Sequence, residues 1–104
     1  MSECLFCAIA SGDIPADIVL SNDDVVAFRD ITPQAPVHVL VIPRAHHANV
    51  ADLATADPAL TGALLRAAGA VAAQEGIADS GYRIVTNTGE GAGQSVHHIH
   101  FHVL

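Results

Sequence analysis

Short apolar runs separated by polar turns make up most of this chain, and one long stretch has helical spacing instead. Residues 16–30, ADIVLSNDDVVAFRD, place two apolar runs around a polar turn, which predicts a β-hairpin. Residues 37–43, VHVLVIP, are largely apolar on both faces, which predicts a central strand. Residues 81–87, GYRIVTN, and residues 96–104, VHHIHFHVL, predict a fourth and a fifth strand.

The alanine- and leucine-rich stretch from Asp57 to Gln74 predicts the one long helix. Asp57 suits the N-cap, Pro58 the first helical position and Gly76 the stop. Its apolar residues form one stripe at helical spacing: Leu60, Ala63, Leu64, Ala67 and Val71. The stripe either covers the sheet or packs against another helix, for example one from a second subunit.

A short helix is predicted near the N-terminus, over residues 4–11, with Ser11 and Gly12 at its end. Strands joined by hairpins, with one long and one short helix, indicate an α+β fold built on a five-stranded antiparallel sheet. The length of 104 residues fits one domain, residues 1–104.

The charge of the chain narrows the list of partners. It has four Arg or Lys residues against eleven acidic ones, for a net charge of −7, which disfavours nucleic-acid binding. No apolar stretch is long enough for a membrane span, and the first ten residues lack the basic segment of a signal peptide. We therefore expect a cytoplasmic protein that binds neither nucleic acid nor membranes.

The two cysteines, Cys4 and Cys7, form a Cys-x-x-Cys pair. Without a secretion signal this spacing favours metal or redox chemistry over a structural disulfide. Thioredoxin-like redox motifs follow a strand, and none is predicted before Cys4, so redox is the weaker interpretation.

Histidines alternate with apolar residues along the last predicted strand. His98, His100 and His102 are expected on one face, because alternate residues of a strand share a face. Such a face is an exposed histidine surface, a metal site made of histidines alone, or a nucleophilic centre acting on a phosphate ester or amide. The preceding loop, residues 88–95, TGEGAGQS, is rich in glycine, which lets backbone N–H groups approach an anion and favours the third interpretation.

The terminal segment, His-Ile-His-Phe-His-Val-Leu, resembles the motif of the histidine-triad (HIT) family. Residues 14–16, 27–46 and 81–95 also resemble the Hint branch of that family in order and spacing, so the resemblance covers nearly the whole chain. It implies a hydrolase or transferase that acts at the α-phosphate of nucleotides. It also implies a homodimer in which the sheets of two subunits join into one.

The resemblance assigns roles to individual residues. His100 corresponds to the nucleophile, His102 to a donor to a phosphate oxygen, and His38 to a partner in a histidine relay. Ser95 and Gln94 correspond to residues at the phosphate and leaving group. The implied catalytic residues are His100, His102, His38 and Ser95. The implied nucleotide-binding residues are Phe6, Ile9, Phe28, Asp30, Ile31, Asn87, Gly93, Gln94, Ser95, His100 and His102.

Several of these residues also have ordinary structural interpretations. Asp30, expected to hold the ribose hydroxyls, is equally suited to a cap or turn, and Asn87 to a turn. Phe6, Ile9 and Phe28, expected to form walls of a purine slot, would otherwise be taken as plain core.

The family resemblance also suggests a use for the cysteines. Some members bind zinc through a Cys-x-x-Cys pair, a histidine after the third strand and the first triad histidine. The corresponding residues here are Cys4, Cys7, His46 and His98, a donor set typical of structural zinc. His47 lies beside His46 and competes for that assignment. With His98 on zinc, acid help for the leaving group would fall to Ser95, His38 or water.

These observations favour hydrolysis of purine nucleoside 5′-phosphoramidates or related adenylates through a covalent nucleotidyl-His100 intermediate. The alternatives are a dinucleoside polyphosphate hydrolase, a nucleotide-sensing scaffold with incidental catalysis, and a metal enzyme using only the triad histidines. The scarcity of positive charge disfavours dinucleoside polyphosphates, because their longer phosphate chains are usually bound by Lys or Arg and only Arg44 lies in a plausible position to do so. The resemblance further implies a C-terminal tail after the triad that this sequence lacks beyond Leu104.

Overall fold

The computed structural model describes residues 4–104, and its centre is one five-stranded antiparallel sheet. Residues 1–3, part of the segment examined above for a signal peptide, lie outside that range. The strands are β1 (Ile18–Ser21), β2 (Val25–Arg29), β3 (Val39–Pro43), β4 (Ile84–Val85) and β5 (Phe101–Val103). They lie in the order β1-β2-β3-β5-β4, so the segment predicted to be central is central.

The described residues contain three α-helices, one more than the sequence led us to expect. They are α1 (Leu5–Ser11), α2 (Val50–Ala56) and α3 (Pro58–Gln74). The prediction of one short helix is wrong because α2 was missed. Its signal was present: the Asn49 side chain caps the helix by accepting from the N–H of Asp52, and Leu53 is buried. None of these helices is long and apolar enough to cross a membrane.

Helix α3 begins where the sequence indicated. The Asp57 carboxylate accepts a hydrogen bond from the N–H of Leu60 at 3.0 Å, and Pro58 occupies the first turn. The same Asp57 also ends α2, so one residue joins the two helices. On α3, Leu64, Ala67 and Val71 are buried with the sheet, which makes the stripe a cover for the sheet.

The two faces of the sheet carry two separate apolar clusters. The larger cluster, under α3, contains Val39 and Val41 of β3 together with Ile99, Phe101 and Val103. The smaller cluster, under α1, contains Phe6, Val26, Phe28, Leu40 and Ile42. The triad histidines alternate with the residues of the larger cluster and therefore belong to the α1 side of the sheet.

The last two strands are shorter than predicted because side chains and loops replace part of the ladder. The carbonyl of His100 accepts from the Thr86 hydroxyl at 2.9 Å, and the N–H of Ile99 donates to the carbonyl of His47 at 2.7 Å. His98 and His100 consequently precede β5, and only His102 lies within it. The alternation survives, since Ile99, Phe101 and Val103 all pack into the α3-side cluster.

Candidate active site

A cavity of about 670 Å³ opens on the α1 side of the sheet. That volume is in the range of sites for small organic ligands. Its walls come from α1, the segment after it, β2 and the residues around β5. The lining includes eight of the predicted site residues: Phe6, Ile9, Phe28, Asp30, Ile31, Ser95, His100 and His102. Ile31 at the rim is 98% exposed, which leaves an apolar surface for a ligand to cover.

His100 is held in one orientation and one tautomer. Its Nδ1 lies 2.8 Å from the carbonyl oxygen of His98, which can only accept, so Nδ1 carries the proton. The lone pair is therefore on Nε2, in a side chain that lines the cavity. Burial lowers the pKa of His100, which keeps the imidazole neutral. A neutral imidazole with its lone pair at a cavity is a competent nucleophile.

A second chain of hydrogen bonds fixes His102. The N–H of Gln34 donates to Nδ1 of His38 at 3.0 Å, so the proton of neutral His38 is on Nε2. That Nε2 lies 2.8 Å from Nδ1 of His102 and 3.4 Å from Oδ2 of Asp30. His102 consequently accepts at Nδ1 and carries its proton on Nε2. Burial lowers the pKa of His102 most, and the neighbouring His100 and His38 lower it further.

Most hydrogen bonds of the glycine-rich loop, residues 88–95, are made within the loop itself, and little of the loop lines the cavity. The N–H groups of Ala92, Gly93 and Gln94 all donate to carbonyls within the loop. The Gln94 amide is buried, accepts from the N–H of Gly89 at 2.8 Å and donates to the carbonyls of Ala48 and Val96. Within residues 88–95, the cavity lining includes Ser95.

The four predicted metal ligands converge at the start of α1. Nδ1 of His98 lies 3.3 Å from Sγ of Cys4, 3.5 Å from Sγ of Cys7 and 3.1 Å from Nδ1 of His46. A tetrahedral zinc ion separates sulfur and nitrogen ligands by about 3.6 Å and two nitrogens by about 3.3 Å, given its usual bond lengths. Nε2 of His98 lies 2.8 Å from the carbonyl of Pro43, which leaves Nδ1 available to a metal. These residues can hold a metal ion.

Comparison with known proteins shows where the chain belongs. Residues 11–104 match the HIT domain. This is a histidine-triad protein. It is 45% identical to the purine nucleoside phosphoramidase of Escherichia coli K12, over 98% of this chain and 86% of that protein. It is 50% identical to an uncharacterised HIT-like protein of Synechococcus elongatus, over 100% of this chain and 91% of that protein.

Solved structures of HIT proteins have the same fold. The HIT family hydrolase of Legionella pneumophila superimposes with a TM-score of 0.94 at 47% identity, over 98% of this chain and 91% of that one. The HIT family hydrolase of Clostridium thermocellum gives a TM-score of 0.95 at 42% identity, over 100% and 90%. The resemblance read from the sequence is confirmed.

Within this HIT domain the triad histidines do not converge on one point. Nδ1 of His98 faces the cysteines, Nδ1 of His100 faces a backbone carbonyl, and Nδ1 of His102 faces His38. Among residues 4–104, neither cluster of possible metal ligands contains all three. The interpretation as a metal enzyme using only these histidines is therefore wrong.

The second cluster of possible ligands is Asp30, His38 and His102. Its atoms are close enough for a metal, but His38 is in the wrong tautomer. The N–H of Gln34 occupies Nδ1 of His38 and keeps the proton on Nε2, the atom that would have to bind the metal. The geometry favours a hydrogen-bond relay at this position.

Other predicted residues of the HIT domain lie at the edge of the site or away from it. Asn87, Gly93 and Gln94 are not among the residues lining the cavity, and their predicted roles in nucleotide binding stay predictions. Arg44 donates to the carbonyls of Asn22 and Ala10 and to the Ser21 hydroxyl. Its side chain thereby ties the hairpin to α1, and Arg44 does not line the cavity.

Two charged residues at the cavity were missed. Asp17 and Arg29 both line it, and they form an ion pair at 3.3 Å. Arg29 is also held by both carboxylate oxygens of Glu75 at the end of α3. No spacing rule relates these three positions, because the sheet brings them together, so the sequence offered no signal for them.

Proposed function

We propose that this protein hydrolyses the phosphorus–nitrogen bond of purine nucleoside 5′-phosphoramidates, or the equivalent bond of related adenylates, through a nucleotidyl-His100 intermediate. The observation that carries this proposal is the His100 imidazole, neutral and with its Nε2 lone pair at a cavity of nucleotide size. The phosphoramidase name of a relative at 45% identity supports the substrate class.

The cavity offers a partner for each part of a purine nucleotide. Phe6, Ile9, Phe28 and Ile31 supply an apolar slot for the base. Asp30 accepts the N–H of Thr32 on Oδ1, and its Oδ2 lies 3.4 Å from Nε2 of His38. Because Asp30 also lines the cavity, we assign it to accept from the ribose hydroxyls. We assign His100, His102 and Ser95, which line the same cavity, to the phosphate.

In the first chemical step, the Nε2 lone pair of His100 attacks the α-phosphorus. The P–N bond to the leaving amine breaks, and its electron pair goes to the amine nitrogen, which takes up a proton. The developing positive charge on His100 is shared with the His98 carbonyl through Nδ1–H. His102 donates Nε2–H to a non-bridging phosphate oxygen, since the relay from Gln34 through His38 fixes that tautomer.

Ser95 is the protein group we assign to the proton transfer to the leaving amine. Ser95 is among the residues that line the cavity. His38, the other protein candidate, is buried and directs Nε2–H toward His102. In the second step, water attacks phosphorus and the P–Nε2 bond breaks, with its electron pair returning to His100. One proton of the water restores the Ser95 hydroxyl, and the other leaves with the nucleoside monophosphate.

Substrates with longer phosphate chains are disfavoured by the arginines. Arg44 is committed to the hairpin and α1, and Arg29 is paired with Glu75 and Asp17. Neither guanidinium is therefore placed to meet additional phosphates, which is why we place dinucleoside polyphosphates second.

We further propose that Cys4, Cys7, His46 and His98 bind zinc. The four donor distances fit a tetrahedral ion with two thiolates and two imidazoles. The ion would supply a structural cross-link between α1, the segment after β3 and the histidine segment. Reduced thiols of this kind suit the cytoplasm, where we place the protein.

The remaining edge of the sheet is our candidate for the homodimer contact. Strand β4 ends the sheet and carries Ile84, which is 39% exposed. Tyr82 and Leu65 are also exposed large hydrophobic residues, and the Tyr82 hydroxyl reaches α3 at Gly69. Pairing of two β4 edges would join two sheets and cover these apolar groups.

Turnover of adenosine 5′-phosphoramidate tests the proposal. We expect the native protein to release AMP and His100→Ala to lose at least ~10³-fold in kcat/KM, because the nucleophile is absent. His97→Ala is the matched control, since His97 is exposed and outside the cavity lining. Tight AMP binding without turnover would instead indicate a nucleotide-sensing protein.

A further inference from the structure

Helix α1 belongs both to the Cys/His cluster, which is Cys4, Cys7, His46 and His98, and to the cavity. Cys4 is its N-cap and Cys7 lies one turn later, with Cys4 Sγ accepting from the N–H of Cys7 at 3.3 Å. Leu5, Phe6 and Ile9 of the same helix line the cavity. One seven-residue helix and its N-cap thus contribute residues to both sites.

Phe6 connects the two sites through direct ring contacts. It lies between the cysteines and is the one buried residue of α1. Its ring centroid is 6.0 Å from that of His98, 5.0 Å from that of His100 and 5.5 Å from that of Phe28. A displacement of α1 therefore moves an aromatic ring that touches a metal ligand, the nucleophile and the wall of the base slot.

His98 connects the same two sites through the backbone. Its Nδ1 faces the sulfur atoms of Cys4 and Cys7, its Nε2 contacts the carbonyl of Pro43, and its own carbonyl accepts the Nδ1–H of His100. The orientation of one residue consequently fixes both a metal donor atom and the tautomer of the nucleophile.

Helix α1 depends on these attachments for its position. A helix of seven residues is not stable on its own in water. Arg44 holds its C-terminal end through the carbonyl of Ala10, and the cysteines hold its N-terminal end near His98 and His46. Without a metal ion, two thiols and two imidazoles form only weak hydrogen bonds, so the N-terminal attachment loosens.

We propose that the metal site and the nucleotide site are coupled, so that zinc raises the affinity for nucleotide and nucleotide raises the affinity for zinc by the same factor. The coupling runs through Phe6 and His98 and makes Cys4, Cys7 and His46 positioning residues for the nucleotide cavity. Equality of the two factors is required because both complexes share one thermodynamic cycle. This inference rests on the proposed nucleotide binding.

Calorimetry with AMP tests the first half of the cycle. The zinc-loaded protein is compared with the same protein after chelator treatment and dialysis. We expect AMP to bind at least about five-fold more weakly after zinc removal, the lower end of ordinary allosteric coupling. The second half is measured on the native chain by competition for zinc with a chromophoric chelator, with and without saturating AMP, and should give the same factor.

Matched variants locate the coupling. His46→Gln should lose zinc and weaken AMP binding, whereas His47→Gln should do neither, because His47 is outside the cluster. Ser11→Ala, which alters the other end of α1, should also leave both affinities unchanged. In Phe6→Leu, AMP binds less tightly overall, and the factor by which zinc changes its affinity should be smaller than in the native chain, because only the route through His98 remains.

The outcomes separate this inference from the proposed function. AMP binding of equal strength with and without zinc, or zinc affinity unchanged by AMP, would overturn the coupling and leave the nucleotide site standing. A protein that binds AMP but no zinc also overturns it. Failure of the zinc-loaded native protein to bind AMP would instead remove the proposed function. If the protein unfolds when zinc is removed, the coupling is tested by the chelator competition alone, which measures the effect of AMP on the zinc affinity of the folded protein.

Discussion

At the scale of residues, the chemistry depends on which nitrogen of each imidazole carries its proton. Two backbone groups decide this: the His98 carbonyl for His100, and the Gln34 N–H for His38 and, through it, His102. The roles that we propose for His100 and His102 differ because Nε2 of His100 carries a lone pair and Nε2 of His102 carries a proton.

Replacement of His38 tests the relay. In His38→Phe, the Gln34 N–H and Nδ1 of His102 lose their partner, so His102 is no longer held in the productive tautomer. We expect kcat for phosphoramidate turnover to fall by ~10²-fold with a smaller change in KM, measured by steady-state kinetics. His97→Phe is the control and should keep the native kcat. If His38→Phe also keeps the native kcat, the relay has no catalytic role.

The lowered pKa of His102 predicts a loss of stability in acid. In the folded protein burial keeps His102 neutral, whereas in the unfolded chain it takes up a proton below its ordinary pKa of about 6.5. The stability that depends on neutral His102 is therefore fully present above about pH 6.5 and is lost as the pH falls below that value. Urea unfolding at pH 7.5 and 5.5 should show a smaller pH dependence for His102→Asn than for the native chain. Equal dependence would contradict this assignment.

The sequence indicated which histidines belong to the candidate site, but it did not indicate which groups orient them. His100 and His102 follow from the motif, because alternation on a strand survives even where the ladder does not. His38 was indicated only by the family resemblance. The carbonyl of His98, the N–H of Gln34 and the carbonyl of Pro43 are backbone groups that any residue would supply. Their positions depend on the fold, so composition and spacing carry no signal for them.

At the scale of elements, helix ends position the site more than helix length does. Helix α1 contributes to the cavity wall from its first two turns, and its N-cap is a cysteine of the Cys/His cluster. Helices α2 and α3 meet at Asp57, which ends one and begins the other. Helix α2 was missed in the sequence because residues 44–57 lack a long apolar stripe, although the Asn49 cap was present.

Asp57→Ala should destabilise the fold without touching the site. The variant loses the carboxylate that accepts from Leu60 at the start of α3. We expect the free energy of unfolding to fall by about 1–2 kcal/mol, measured with urea. Asp79→Ala, at an exposed position, is the control and should change it by less than about 0.5 kcal/mol. Equal effects of the two substitutions would argue against a capping role for Asp57.

At the scale of the whole molecule, the sheet separates the main hydrophobic core from the candidate site. Its α3 face carries the larger apolar cluster, and its α1 face carries the cavity and the Cys/His cluster. The five-stranded antiparallel sheet was predictable because the apolar runs and turns are short and regular. The dimer was not derivable from periodicity and stays a prediction drawn from the family resemblance.

Substitutions at the two sheet edges test the dimer. Ile84→Asp places a charge on the β4 edge and should convert a dimer into a monomer, whereas Ile18→Asp on the β1 edge should leave the dimer intact. Both positions are similarly exposed, 39% and 44%, so the comparison isolates the edge. Light scattering after size-exclusion chromatography gives the mass. A native monomer, or dissociation by Ile18→Asp alone, would contradict the assignment of the β4 edge.

The most direct test of the central claim is the covalent intermediate itself. The native protein is mixed briefly with adenosine 5′-phosphoramidate, quenched, and analysed by intact-mass spectrometry beside His100→Ala and His97→Ala. We predict a transient mass gain of one adenylyl group in the native and His97→Ala proteins, located on His100, and none in His100→Ala. AMP release without any adduct, or an adduct that persists in His100→Ala, would contradict nucleophilic catalysis by His100.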